Sequence, residues 1–154
     1  MVGHLLSIGH GYSARALARR LLPLGWQVTG TTRSSLKAGV MRQAGVRPLI
    51  WQVDDLAEEL ATTTHLLSSV APDDGHDPVL AAERDAIAAA APHLKWVGYL
   101  STTGVYGDHG GGWVDEDTPL TPTTRRGRDR VAAEAEWQAL AKEAGLPLHI
   151  FRLA

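Results

Sequence analysis

Six residues near the start of the chain, Gly9-His10-Gly11-Tyr12-Ser13-Ala14, have the types and spacing needed to seat a diphosphate on main-chain amides. Gly9 permits a tight turn, Gly11 removes the Cβ that would hold a pyrophosphate off the backbone, and Ala14 lets a following helix lie close to a sheet. The apolar run Leu5, Leu6, Ile8 before the turn reads as a strand, and the residues from Ser13 read as a helix. That helix would aim its unpaired N–H groups, those of Tyr12, Ser13 and Ala14 among them, at a bound phosphate. The chemistry this predicts is binding of an adenine dinucleotide.

The end of the next strand bears on which dinucleotide. About 20 residues past such glycines, an Asp or Glu binds the ribose of NAD, whereas an Arg accommodates the 2′-phosphate of NADP. Here the segment is Thr31-Thr32-Arg33-Ser34-Ser35 with no acid nearby, so Thr32, Arg33 and Ser34 point to NADP, with NAD possible. The alternative is that Arg33 sits on a solvated turn. Asp55, after the third strand, could accept a hydrogen bond from the adenine amino group or simply cap the next helix.

Positioning these residues requires alternating strands and helices. Helical spacing runs from about Ser13 to Leu24, with Ala14, Leu17, Ala18, Leu21 and Leu22 on one face, and Gln27 to Thr31 forms strand two. A helix over Leu36–Ala44 leads to strand three at Val46–Val53. Strand four spans Thr64–Val70, a helix Val79–Ala91, and strand five Trp96–Ser101. A last helix over Arg128–Ala144, with Val131, Ala135, Leu140 and Ala144 inward, precedes strand six at Leu148–Leu153. Six strands alternating with helices predict an α/β fold, a doubly wound parallel sheet of Rossmann type with helices on both faces. We assign residues 1–154 to one domain.

Composition limits the function classes. The chain is 44% hydrophobic and 21% charged, ordinary for a globular domain, and it has no cysteine, which excludes disulfides and thiolate chemistry. No run approaches a membrane span, and a cytoplasmic location is expected. The net charge of −2 hides an asymmetry: every charged residue before Asp54 is basic. Those cations are dispersed around the glycine turn without interleaved aromatics, which favours a phosphorylated small molecule over nucleic acid. The seven histidines show no metal-ligand spacing, and no metal is expected.

The glycine turn, the Ser101-Thr102-Thr103-Gly104-Val105-Tyr106-Gly107 segment, the Asp115-Glu116-Asp117-Thr118-Pro119 run and the helix with Glu134 together resemble the extended short-chain dehydrogenase/reductase superfamily. The likeness is to its NAD(P)-dependent epimerase/dehydratase group, especially the atypical members, and it covers nearly the whole chain. The resemblance implies a Rossmann domain holding NAD(P) and a smaller C-terminal domain holding a nucleotide-sugar or similar substrate, in a homodimer. By motif, Thr102 falls on the group's catalytic Ser/Thr, where a hydroxyl can hydrogen-bond a substrate oxygen beside the nicotinamide. Ser69, Val70 and Ala71 fall where the group lines its cofactor; Thr103 is placed at the substrate cleft, and Tyr106 either lines that cleft or is an aromatic packed under its loop.

Two departures stand against that pattern. The group's acid/base is a Tyr with a Lys four residues on, and the matching positions here are Arg126 and Arg130. Arginine stays protonated, so Arg126 cannot exchange a proton near neutral pH, while Arg130 could take over the lysine's ribose and charge role. Members of the group also continue past the sixth strand into a substrate domain, and this sequence stops where that would begin: either it is a fragment of a longer chain or half of the substrate cleft is missing, and a stand-alone domain would expose the cleft, with modest stability or self-association expected. The leading expectation is an NADP-dependent oxidoreductase or sugar-nucleotide epimerase/dehydratase. The rival is a non-catalytic NADP-binding sensor or structural module, and a weaker third is a mononucleotide- or phosphate-binding domain.

Overall fold

The computed structural model describes residues 2–154. Six strands, β1 (His4–Ile8), β2 (Gln27–Thr32), β3 (Arg47–Ile50), β4 (His65–Ser68), β5 (Trp96–Thr102) and β6 (Leu148–Leu153), form one sheet. The strand order is 3-2-1-4-5-6 and every pairing is parallel, the doubly wound Rossmann arrangement. The order reverses between β1 and β4, which opens a crevice beyond their C-terminal ends.

Helices cover both faces because side chains alternate along each strand. On one face Leu5, Val28 and Leu67 pack with Ala14 and Ala18 of α1 (Tyr12–Leu21) and Met41 of α2 (Ser35–Gln43). On the other, Leu6, Ile8, Leu66, Val97 and Tyr99 pack against α3 (Leu56–Leu60), α4 (Pro78–Ala90) and α5 (Arg125–Ala144). Beneath α3 lies a buried polar link, in which Glu59 receives Arg47 at 2.9 Å and faces His4 Nε2 at 3.0 Å.

Some expected boundaries shift. Strand three stops at Ile50, because Asp54 Oδ2 accepts from Ile50 N at 2.5 Å and folds the chain back into a turn. The last helix begins at Arg125, three residues early, where Thr124 caps it by accepting from Gly127 N at 3.0 Å. Its buried face is Gly127, Ala133, Glu134, Trp137 and Leu140, whereas Ala135 is exposed. Glu134 is buried because Arg152 lies opposite it on β6, which hydrophobic spacing does not register.

Candidate nucleotide-binding crevice

The glycine turn is built as its sequence requires. Gly9 has φ +82°, a left-handed conformation, and a Cβ there would lie 3.0 Å from Val70 Cγ2 and 3.1 Å from Ser69 Oγ. Gly11 is extended, and a Cβ there would meet nothing within 4 Å, because it would project into the crevice. The turn is fastened to β2 by Thr31, whose Oγ1 accepts from Gly9 N at 2.8 Å and whose carbonyl accepts from His10 N at 3.1 Å. Ser69 fastens it to β4, its hydroxyl donating to the carbonyl of Gly9.

No side chain caps α1, and its first amide with a backbone acceptor is that of Arg15, on the Gly11 carbonyl at 2.9 Å. The preceding amides are left to the crevice, as an anion site needs. Tyr12 and Ser13 are exposed at its mouth and Ala14 is buried against the sheet. Gly9, His10, Gly11, Tyr12, Ser13, Thr31, Thr32, Lys37, Ser69, Leu100 and Arg130 line a space of about 420 Å³.

Arg130 joins this crevice to a second cavity of about 430 Å³, lined also by Ala71, Pro72, Thr102, Thr124 and Arg126. Its Nη1 donates to the Leu100 carbonyl at 2.7 Å and to Tyr99 Oη at 3.3 Å. The guanidinium is therefore held at the junction. Thr102 ends β5 with Oγ1 accepting from Gly104 N at 3.2 Å, which leaves its own hydroxyl proton free to donate.

The structure thus gathers Gly9, Gly11, Tyr12, Ser13, Thr32, Ser69, Ala71, Thr102 and Arg130 around two spaces that share Arg130, while Ala14 lies behind the turn, buried against the sheet. Val70 packs under the turn, against the core. Three other residues lie elsewhere. Arg33 is exposed and does not line the crevice, and Ser34 caps α2 by accepting from Lys37 N at 3.3 Å. Asp55 caps α3, accepting from Ala57 N at 2.8 Å, and borders a different cavity beside Arg47 and Glu59.

Thr103 and Tyr106 line a separate space of about 570 Å³ with Asp115, Glu116 and Arg152. Tyr106 is buried there, its hydroxyl accepting from Arg152 Nη1 at 3.0 Å under a guanidinium 5.0 Å from its ring. Arg152 in turn grips Glu134 with both Nε and Nη2, at 3.0 and 2.9 Å, and Ser101 Oγ donates to the same carboxylate.

Four residues lining the crevice, His10, Thr31, Lys37 and Leu100, escaped sequence reading. For His10 and Lys37 the signals were present: Gly30 in mid-strand leaves room for the His10 ring, and Lys37 falls in the first turn of α2 beside the tip of β2. Tyr99 does not replace the absent tyrosine acid/base. Burial pushes its phenol up to about 12, partly offset by Arg130, so it keeps its proton near neutral pH. Among the described residues, no group of three or more His, Asp or Glu could hold a metal ion, and no helix is long and apolar enough to cross a membrane.

No family model matches the chain. It is 33% identical over 164 residues to Protein YeeZ of Escherichia coli (strain K12), an alignment covering 96% of this chain and 56% of that protein. A conserved protein of unknown function from Silicibacter pomeroyi DSS, of known structure, is 57% identical with a TM-score of 0.92, over 99% of this chain and 52% of that one. UDP-glucuronic acid 4-epimerase from Bacillus cereus, in complex with UDP-glucuronic acid and NAD, superposes with a TM-score of 0.74 at 21% identity, over 97% and 55% of the two chains. The fold is theirs. The chain spans about half the length of each of these relatives.

Proposed function

We propose that the chain is the dinucleotide-binding domain of an extended short-chain dehydrogenase/reductase of the epimerase/dehydratase kind, binding NADP in preference to NAD. The observation that carries this reading is that Arg130 lines both the crevice of the glycine turn and the cavity of Thr102. A dinucleotide laid across both has its diphosphate on the α1 amides and its nicotinamide end near Thr102. The basic tip after β2, with Arg33 and Lys37 and no acid, supports NADP.

In this reading Thr102 donates to the oxygen of a small substrate, of nucleotide-sugar type, during hydride transfer at the nicotinamide. Arg130 supplies fixed positive charge beside the ribose. Dimerisation and a cytoplasmic location belong to the same proposal. Because Arg126 and Tyr99 cannot take it, the proton that the substrate alcohol loses as its hydride passes to the nicotinamide goes to solvent water.

That same fact favours a second reading, a non-catalytic NADP-binding module. Titration of NADPH and NADH into the protein, followed by nicotinamide fluorescence, tests the shared premise: absence of binding to either removes both. UDP- and dTDP-sugars added to the NADP-loaded protein then separate the two. Reduced nicotinamide forming in the wild type and not in Thr102→Ala supports the enzyme, and none forming in either supports the module.

A further inference from the structure

Arg126 and Arg130 stand one helical turn apart on α5, so both side chains leave the same face of the helix. Both line the cavity of about 430 Å³ that Thr102 also lines. The helix comes this close because Gly127, between them, has no side chain: a Cβ there would lie 2.6 Å from the Gly104 carbonyl oxygen. A contact that only glycine permits thus sets two guanidiniums around the same space as the Thr102 hydroxyl.

Charge is balanced differently here from elsewhere in the fold. Arg152 is half-buried and grips Glu134 with two nitrogens, at 3.0 and 2.9 Å. Arg130 is half-buried too, yet its Nη1 reaches only the Leu100 carbonyl and Tyr99 Oη, and its Nε and Nη2 have no protein acceptor among the described residues. Tyr99 keeps its proton and supplies no charge. Among the described residues no carboxylate pairs with Arg130 or Arg126. Asp129, the acid in the cavity lining, lies 3.8 Å from Arg125 instead. A guanidinium partly withdrawn from water without a counter-charge is costly, and a second cation one turn away adds repulsion. Arg126 is exposed and water screens it, whereas Arg130 is tied to β5 through Leu100 and cannot follow it into solvent.

We infer that this cavity takes a small substrate with a carboxylate or phosphate group close to the reacting oxygen, the anion held by the Arg130 fork and by Arg126 while Thr102 holds the oxygen. This rests on the dinucleotide reading above and narrows its substrate to molecules, acidic sugars among them, that are ionised next to the carbon exchanging hydride. Paired N–H groups in one plane match two anionic oxygens, which neither a tyrosine nor a lysine at these positions would do.

The test titrates oxamate, its neutral ethyl ester and inorganic phosphate into the protein, free and NADPH-loaded, by calorimetry. Wild type is compared with Arg126→Gln, Arg130→Lys and Arg128→Gln, with circular dichroism confirming the fold. Oxamate, phosphate or both should bind the wild type, and which of them binds tells carboxylate from phosphate; the ester should not bind. Arg126→Gln should weaken the bound anion about ten-fold or more, the size of a lost charge-assisted contact, and Arg130→Lys, which keeps the charge and loses the fork, several-fold. Arg128→Gln makes the same charge change outside the cavity and should stay within about two-fold of wild type. An ester that binds as tightly as oxamate, or an Arg126→Gln loss no larger than that of Arg128→Gln, overturns the inference. So does a wild type that takes up NADPH and neither anion, which leaves the dinucleotide reading standing. An anion held through Arg126 by a protein that takes up no NADPH overturns that reading and leaves the anion site, and binding of neither overturns both.

Discussion

Trp137 Nε1 donates to Asp77 Oδ2 at 2.9 Å, and neither side chain is reached by solvent. Asp77 Oδ1 meanwhile accepts from the amides of Val79 and Leu80, so one carboxylate starts α4 and anchors it to the middle of α5. Burial pushes the Asp77 carboxyl up, and the hydrogen bonds from Leu80, Trp137 and Val79 pull it back. Trp137→Phe should cost about 2–4 kcal/mol in urea denaturation, from the lost donor to a buried carboxylate and the space left behind. The same variant should raise the Asp77 pKa further and leave NADPH affinity within about two-fold, because Trp137 lies outside the crevice.

The two glycines of the turn should fail in different ways. Gly9→Ala puts a side chain on a left-handed residue and against Val70, so its main effect is a loss of stability of about 1–3 kcal/mol. Gly11→Ala meets no protein atom and should melt within about 2 °C of wild type. Its methyl group nevertheless occupies the diphosphate approach, and dinucleotide affinity should fall at least about ten-fold. Thermal melts paired with titrations measure both, and a Gly11→Ala protein that binds normally would place the diphosphate elsewhere.

Glu134 and Arg152 form a bidentate pair whose side chains are 2% and 16% exposed. Removing one partner leaves a buried charge, and Glu134→Leu should lose about 3–5 kcal/mol. The double variant Glu134→Leu, Arg152→Met removes both charges and should recover much of that loss, which a double-mutant cycle in denaturant would measure. An additive cycle would show that the pair is not coupled.

Acid should weaken the fold through two histidines. His10 is held below its ordinary value of 6.5 by burial and then by Arg15, and His65 by burial and then by Lys95. For each, the folded state resists a proton that the unfolded chain accepts, so their contribution is present above pH 6.5 and is lost as pH falls from there through the folded pKa. Imidazole titration by NMR should place both below 6.5, and unfolding free energy should decline below that pH more steeply in wild type than in His10→Phe.

Much of this was legible in residue order. The alternation of apolar runs with helical spacing determined six parallel strands and helices on both faces, because a strand covered on both faces is mostly apolar and a crossover needs a helix. Gly9, Gly11 and Ala14 determined the turn, since each is set by local sterics that neighbouring residues suffice to predict. Thr124 as a cap is equally open to view, yet hydrophobic spacing fades across Arg125-Arg126 and predicts a helix only from Arg128.

Only the tertiary structure decided which side chains face one another across sequence. Arg33 and Lys37 are both basic, four residues apart and exposed, but only Lys37, in the first turn of α2, lines the crevice. Glu134 stands outside the helix's apolar spacing, and only the fold shows that it is buried against Arg152, 18 positions on, which supplies its counter-charge. Asp55 could have met a ligand or capped a helix, and the geometry of α3 made it a cap. A residue's own type sets what it can bond, whereas its partner is chosen by packing between distant segments, where loop closure and burial decide.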